Sequence, residues 1–366
     1  FAIGLVLAGA AVSMPMLIGA RLIQGIGGGA IPPIAYVAIG RSLPDHLRPR
    51  MFATMSTAWI LPGIFGPAVA GVVAEAFSWR LIFLGLLPLL AVSGSMAYRG
   101  LRGLADAAEG SRGSSGGSRI RDGLIVGAGV AILTTGLAAD SPLVIAGVGA
   151  VGLAITGWAF VRLAPPGTLR AARGYPAAIL LRGVLTFAFF AVDVYIALLL
   201  VEVRGWSAAG AGIAITALTV SWTAGSWTQA RLSARIAHER FVRVGFPVVA
   251  VGIAGLGAVL IPAVPGWLAV PICVIAGFGM GLTYAQFALV VLRDAPRESQ
   301  GEVTAALSLS DALGTVLGTS VAAAFVSAAV RAGSGPAPGL AAAIIMGTFA
   351  ALIGWALAPR LLPKPR

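Results

Sequence analysis

Three charged residues lie inside stretches of this chain that are otherwise apolar or small. Arg21 sits in LIGARLIQGIGGGAIPP, Asp193 in TFAFFAVDVYIALLL and Asp311 in LSLSDALGTVLGTS. An ionised carboxylate among Phe, Val, Ile and Leu must find water or a cation, and otherwise it holds a proton. Asp193 can therefore exchange protons or bind substrate, or it can be a permanently ionised partner of Arg182 or Arg21. Arg182 precedes it by eleven residues, about 16 Å along one helix, too far for direct pairing within that helix. Asp311, with Ser neighbours and small packing residues, can hydrogen-bond across helices or take part in transport. Arg21 costs about 2.5–3.5 kcal/mol at mid-bilayer and calls for a carboxylate or backbone carbonyls as partner. It either influences a proton-binding acid or ties down a broken neighbouring helix, and both readings place it in the interior of its helical group.

These groups do not make an enzyme. Asp193 and Asp311 fall on different helices and lack the clustered His, Ser/Lys or paired acids that membrane-embedded catalysis needs. The single Cys273 lies in an apolar stretch and gives neither an intrachain disulfide nor a metal site. His46 and His238 fall in charged loops, where solvation is the expectation. GIGGGA lies in an apolar segment and lacks the Lys-Ser/Thr of a phosphate loop, which disfavours an ATP-driven pump. No cofactor is expected beyond the proton as coupling ion.

Whatever positions the three charges is not a water-soluble fold. Only 10% of the 366 residues are charged and 58% are hydrophobic, against roughly 25% charged in soluble domains. Apolar windows of about 20 residues, the length that crosses a bilayer as helix, recur throughout. The two-residue alternation of barrel strands is missing. The chain reads as an all-α polytopic membrane protein. Gly is abundant, at 50 residues, and small residues let membrane helices approach closely.

Polar breaks divide the chain into twelve segments: 1–12, 15–39, 52–74, 80–98, 123–139, 143–161, 177–201, 207–229, 242–261, 266–291, 301–330 and 339–358. The first is too short to span and begins at Phe1 without an initiator Met, so the expectation is a chain cut within a helix. Of the 25 basic residues, 20 fall in alternate loops or at the C-terminal end, in 40–51, 99–122, 162–176, 230–243, 293–297 and 360–366. Arg80, Arg204 and Arg331 occupy the other side. Basic loops stay cytoplasmic, which puts the C-terminus in the cytoplasm of a multi-pass cell-membrane protein. The same distribution explains the net charge of +12; the charge is spread over six separate short stretches, and nucleic-acid binding is disfavoured. The Gly/Ser-rich middle of 98–122 reads as a flexible linker.

LIGARLIQGIGGGA resembles the fourth-helix signature of the major facilitator superfamily, with Arg21, Gln24 and Gly25 on the signature positions. LPGIFGPAVAG is similar to that family's fifth-helix antiporter motif. Gly66, Pro67 and Gly71 match and Gly63 is adjacent, while Pro62 and Ala70 replace usual glycines. WRLIFLGLLP, residues 79–88, resembles the run after that helix in fourteen-helix drug:proton antiporters, with Leu86 in place of Asn. VEVRGWSAAGAG is similar to a segment of the same group. QARLSARIAHER resembles a degenerate copy of the family's basic loop motif, with Ala234 and Ala237 in place of its Asp and second Gly.

The resemblance implies the major facilitator fold, two six-helix halves plus an extra central helical hairpin, with the first two helices missing. Residues 1–98 would be the remainder of the N-terminal half and 99–122 a cytoplasmic loop. The hairpin would occupy 123–161, a second loop 162–176 and the C-terminal half 177–366. It further implies proton-coupled efflux of small amphipathic or cationic compounds, multidrug-type, by a monomer whose partners are substrate and lipid. Arg21, Asp193 and Asp311 are then the proton-coupling candidates, and Gly63, Gly66, Pro67 and Gly71 bend and seal the fifth helix. Trp59, Tyr195, Trp222, Trp227, Tyr284 and Gln286 are cavity candidates, since aromatic faces attract cations. An uptake permease or metabolite exporter of the same fold is the runner-up; an inactive fragment ranks behind it.

Overall fold

The computed structural model describes residues 1–58, 60, 62, 73, 76–106 and 116–362, and among them every regular element is helical. The first group of helices is α1 (Ala2–Gly9), α2 (Met14–Ser42), α3 (Arg48–Ala58), α4 (Arg80–Leu84) and α5 (Leu86–Asp106). A hairpin follows, α6 (Gly116–Leu137) and α7 (Pro142–Leu163). The remainder is α8 (Tyr175–Asp193), α9 (Ala208–Leu232), α10 (His238–Val259), α11 (Ala269–Asp294), α12 (Gln300–Arg331) and α13 (Ala337–Leu357). Ten helical stretches among the described residues are long and apolar enough to cross a membrane. The expected segment 1–12 supplies only the eight residues of α1, and the later part of 52–74 lies largely outside the described residues. Helices win because unpaired backbone groups cannot face lipid.

Their ends follow local chemistry. The Ser13 hydroxyl accepts the Met16 N–H at the start of α2, and Ser207 accepts the Gly210 N–H at the start of α9. Gly174, at a φ of +88° open to glycine, precedes α8, and its N–H donates to the Arg360 carbonyl at 2.9 Å. The expected 98–122 linker is shorter than the sequence suggests: α5 runs on to Asp106 and α6 begins at Gly116. Charged residues such as Arg99 and Arg102 extend the helix past the apolar stretch instead of ending it.

The residues group into two compact units, Phe1–Asp45 with Thr57–Arg112, and His46–Ser56 with Gly113–Arg366. In the first, α1 packs on α2 and α4. Arg80 donates twice to the Ala11 carbonyl, at 3.2 and 2.7 Å, and so closes the C-terminal end of α1. In the second unit α8 packs on α12, α13 and α11, α11 also packs on α9 and α10, and the hairpin rests on α12 through α6. Arg204 donates to the carbonyls of Ile261 and Val264 beyond the end of α10, while Arg331 lies 3.5 Å from Asp140. Arg80, Arg204 and Arg331 therefore each have a carbonyl or carboxylate partner.

A tight junction lies between α8 and α12. A Cβ at Gly314 would run into the Gly183 carbonyl, and one at Gly318 into that of Phe187. Small residues four apart permit this approach. Ser310 then donates to the Ile179 carbonyl at 2.7 Å and Thr186 to that of Asp311 at 3.1 Å.

Candidate functional site

Arg182 is 1% exposed, deep between α8, α11 and α12. Such a charge is tolerable only when every donor has a partner nearby. Its Nε donates to Asp311 Oδ1 at 2.8 Å, a terminal nitrogen donates to the Tyr284 carbonyl, and the guanidinium carbon lies 3.1 Å from the Tyr284 ring centre. The Tyr284 hydroxyl donates to the other oxygen of Asp311 at 3.0 Å. Both Asp311 oxygens are thus engaged, although its side chain remains 25% exposed. The result is a neutral pair joining residues 129 apart in sequence. Sequence reasoning singled out Asp311 and Tyr284 and considered Arg182 only beside Asp193. The short-range signal was the run of small residues on α12, which allows the approach but does not name the partner.

Aromatic rings continue from that pair. Trp222 of α9 meets Tyr284 at 5.3 Å and Phe189 at 5.5 Å, in edge-on contacts, and Phe190 at 6.5 Å. Phe189 is buried, whereas Phe190, Trp222 and Tyr284 are each partly exposed. Asp193 follows Phe190 by three residues, one turn along α8, which makes them surface neighbours. Regular α-helix ends at Asp193; a turn at Val194–Tyr195, a short helix Ile196–Leu198 and a π turn Leu199–Val203 complete the span. Asp193 is partly buried. No hydrogen bond or ion pair reaches its carboxylate among the described residues. Tyr195 donates to the Thr319 carbonyl at 3.1 Å instead of joining the aromatic run.

Gln286 lies elsewhere. It is fully buried beside Gln229, and its amide donates to Gln229 Oε1 at 2.6 Å. Its own oxygen is 2.8 Å from His238 Nδ1. His238 is therefore not the solvated loop residue the sequence suggests; as the first residue of α10 it is drawn onto a buried amide. Gln229 reaches the Pro49 carbonyl at 3.5 Å, and Thr223 that of Ser56 at 3.4 Å, which anchors α3.

In the first unit Arg21 is exposed, donates to Gln24 Oε1 at 2.7 Å, and lies 5.5 Å from the Phe83 ring centre. Among the described residues its hydrogen-bond partner is on its own helix. Gly25 has open space where a side chain would begin. Trp59, Gly63, Gly66, Pro67 and Gly71 lie outside the described residues. No group of three or more His, Cys, Asp or Glu suited to a metal occurs among the described residues.

The sequence that builds these long apolar helices matches a known family model, the Major Facilitator Superfamily, over residues 1–319. The chain belongs to the major facilitator superfamily. Its members are transporters rather than enzymes, binding small molecules within the membrane, and this chain is a multi-pass membrane protein. It is 25% identical to the methylenomycin A resistance protein of Bacillus subtilis over 371 aligned positions, covering 95% of this chain and 76% of that protein. Stronger identity is local. Multidrug resistance protein 3 of Bacillus subtilis is 37% identical over 93 residues, 25% of this chain and 18% of the relative. An uncharacterized transporter of Schizosaccharomyces pombe is 36% identical over 88 residues, 24% of this chain and 15% of its own length. Among solved structures, a human organic anion transporter aligns with a TM-score of 0.65 at 14% identity, covering 98% of this chain and 74% of that one. A proton:xylose symporter aligns with a TM-score of 0.65 at 15% identity, covering 98% and 77%. At these identities the likeness is one of fold.

Proposed function

We propose that this major facilitator chain is a proton-coupled exporter of small amphipathic compounds, of the fourteen-helix drug:proton antiporter kind. In that reading α6–α7 is the extra hairpin, the C-terminus is cytoplasmic, and the protein works as a monomer in the cell membrane. The observation that carries it is the partly exposed aromatic face of Phe190, Trp222 and Tyr284, with Asp193 one turn beyond it. The rings offer apolar and π contacts to a flat amphipathic molecule. Asp193 lacks a described partner to hold it ionised, so it loads and releases a proton as the site is exposed to each side in turn. The resistance proteins among the relatives support the export direction.

The experiment is substrate accumulation in vesicles containing the complete protein, with and without an imposed pH gradient. Asp193→Asn abolishes gradient-driven accumulation, while gradient-independent exchange partly survives because Asn resembles the protonated acid in shape. Unaltered gradient-driven transport removes Asp193 from the mechanism.

A further inference from the structure

We infer that Arg182 sets the charge class of the substrate, making the aromatic face a site for uncharged amphipathic aromatics rather than organic cations. The inference rests on reading that face as the substrate site. A cation is recognised in an apolar site by two kinds of group, a carboxylate and an exposed π face. Asp311 and the Tyr284 ring are of these two kinds and both already serve a cation, while Asp193, one turn beyond Phe190, is left to the proton. Asp311 accepts from Arg182 through Oδ1 and from the Tyr284 hydroxyl through Oδ2, and the Arg182 guanidinium lies against the Tyr284 ring. Arg182 thus stands where the charged end of a cationic ligand would stand, held on its own helix. An arriving cation finds Asp311 already neutralised by Arg182, and an arriving anion finds Arg182 already neutralised by Asp311. Trp222 and Phe190 continue the face without charge, and their partly exposed rings are what remains for a ligand to cover. Specificity then comes from rejecting both charged classes as much as from attracting the neutral one.

Three probes of one shape test this: 2-naphthylmethanol, 2-naphthylmethylammonium and 2-naphthoate, titrated calorimetrically into the purified full chain in detergent. Trp222→Ala protein serves as the blank for partition into micelles. All other variants carry Asp193→Asn, which removes the second acid of α8 and leaves the pair as the charge under study. In that background the neutral probe binds most tightly. Adding Arg182→Gln raises the cation-to-neutral affinity ratio about tenfold, and adding Asp311→Asn raises the anion-to-neutral ratio about tenfold. Adding both returns the starting pattern; this charge-balanced protein and the Asp311→Asn protein keep the test decisive even if the Arg182→Gln protein does not fold. Ratios unmoved by either change, a parent that prefers the cation, or binding indifferent to Trp222→Ala would each overturn the inference. If these ratios shift as stated while vesicle transport shows no dependence on the pH gradient, the coupling reading fails and this one stands.

Discussion

Removing either member of the Arg182–Asp311 pair alone should cost at least as much as removing both. Taking away one partner of a buried pair typically costs about 3–5 kcal/mol, because the other is left buried and uncompensated. The two partners differ here. Asp311→Asn strands a guanidinium that is 1% exposed; Asn keeps an acceptor for Arg182 Nε but no charge, and about 3 kcal/mol is expected. Arg182→Gln leaves a carboxylate that is 25% exposed and still accepts from the Tyr284 hydroxyl, so about 2 kcal/mol is expected. The double variant Arg182→Gln with Asp311→Asn carries no charge there and should lose only about 1–2 kcal/mol. The coupling energy of that cycle should therefore reach about 3 kcal/mol. Unfolded fraction followed through an SDS titration in mixed micelles gives all four corners. Single costs below about 0.5 kcal/mol that simply add would refute the claim that the pair is energetically closed.

Three further outcomes follow from local contacts. Arg204→Ala removes the links to the Ile261 and Val264 carbonyls and should cost about 1 kcal/mol in the same titration, with Arg204→Lys recovering only part because it lacks the planar fork. Gln286→Leu strands the Gln229 oxygen in a buried site and should cost about 2 kcal/mol, and adding Gln229→Leu should recover some of it. Gly314→Ala forces a methyl against the Gly183 carbonyl and should cost about 1–3 kcal/mol, whereas Gly25→Ala, which meets open space, should stay within about 0.5 kcal/mol of the parent.

How far the sequence was legible depends on the range of the interaction concerned. Helical spans are local: the apolar windows 207–229 and 301–330 correspond to Ala208–Leu232 and Gln300–Arg331, because bilayer thickness and backbone pairing act on each segment alone. Their ends were harder to read. α5 continues through Arg99 and Arg102 to Asp106, since arginine is a good helix former. The site was legible as residue types and not as pairs. Asp311, Trp222 and Tyr284 were singled out, but the Arg182–Asp311 partnership depends on the crossing of α8 and α12, which no window of sequence contains. Gln286 shows the reverse error of resolution: a polar residue in an apolar span suggests a cavity, and the structure places it against Gln229 and His238. Which side of a helix meets which neighbour is a property of the packed bundle.

The π turn at Leu199–Val203 has a consequence for how this span tolerates change in length. There the Arg204 N–H reaches back five residues to the Leu199 carbonyl, so the turn holds one residue more than an α-turn would. Deleting one residue within it would let the backbone close as an ordinary α-turn and leave everything beyond nearly in place; were the turn instead to tighten to α with all its residues kept, everything beyond would turn by about 100° around the axis. Arg204 would be carried away from the carbonyls at the end of α10 that it now holds, and the Ser207 cap would start α9 in a different direction. The connection between α8 and α9 is indexed to the span by a single surplus residue, and an inserted residue there should do more damage than the loss of one.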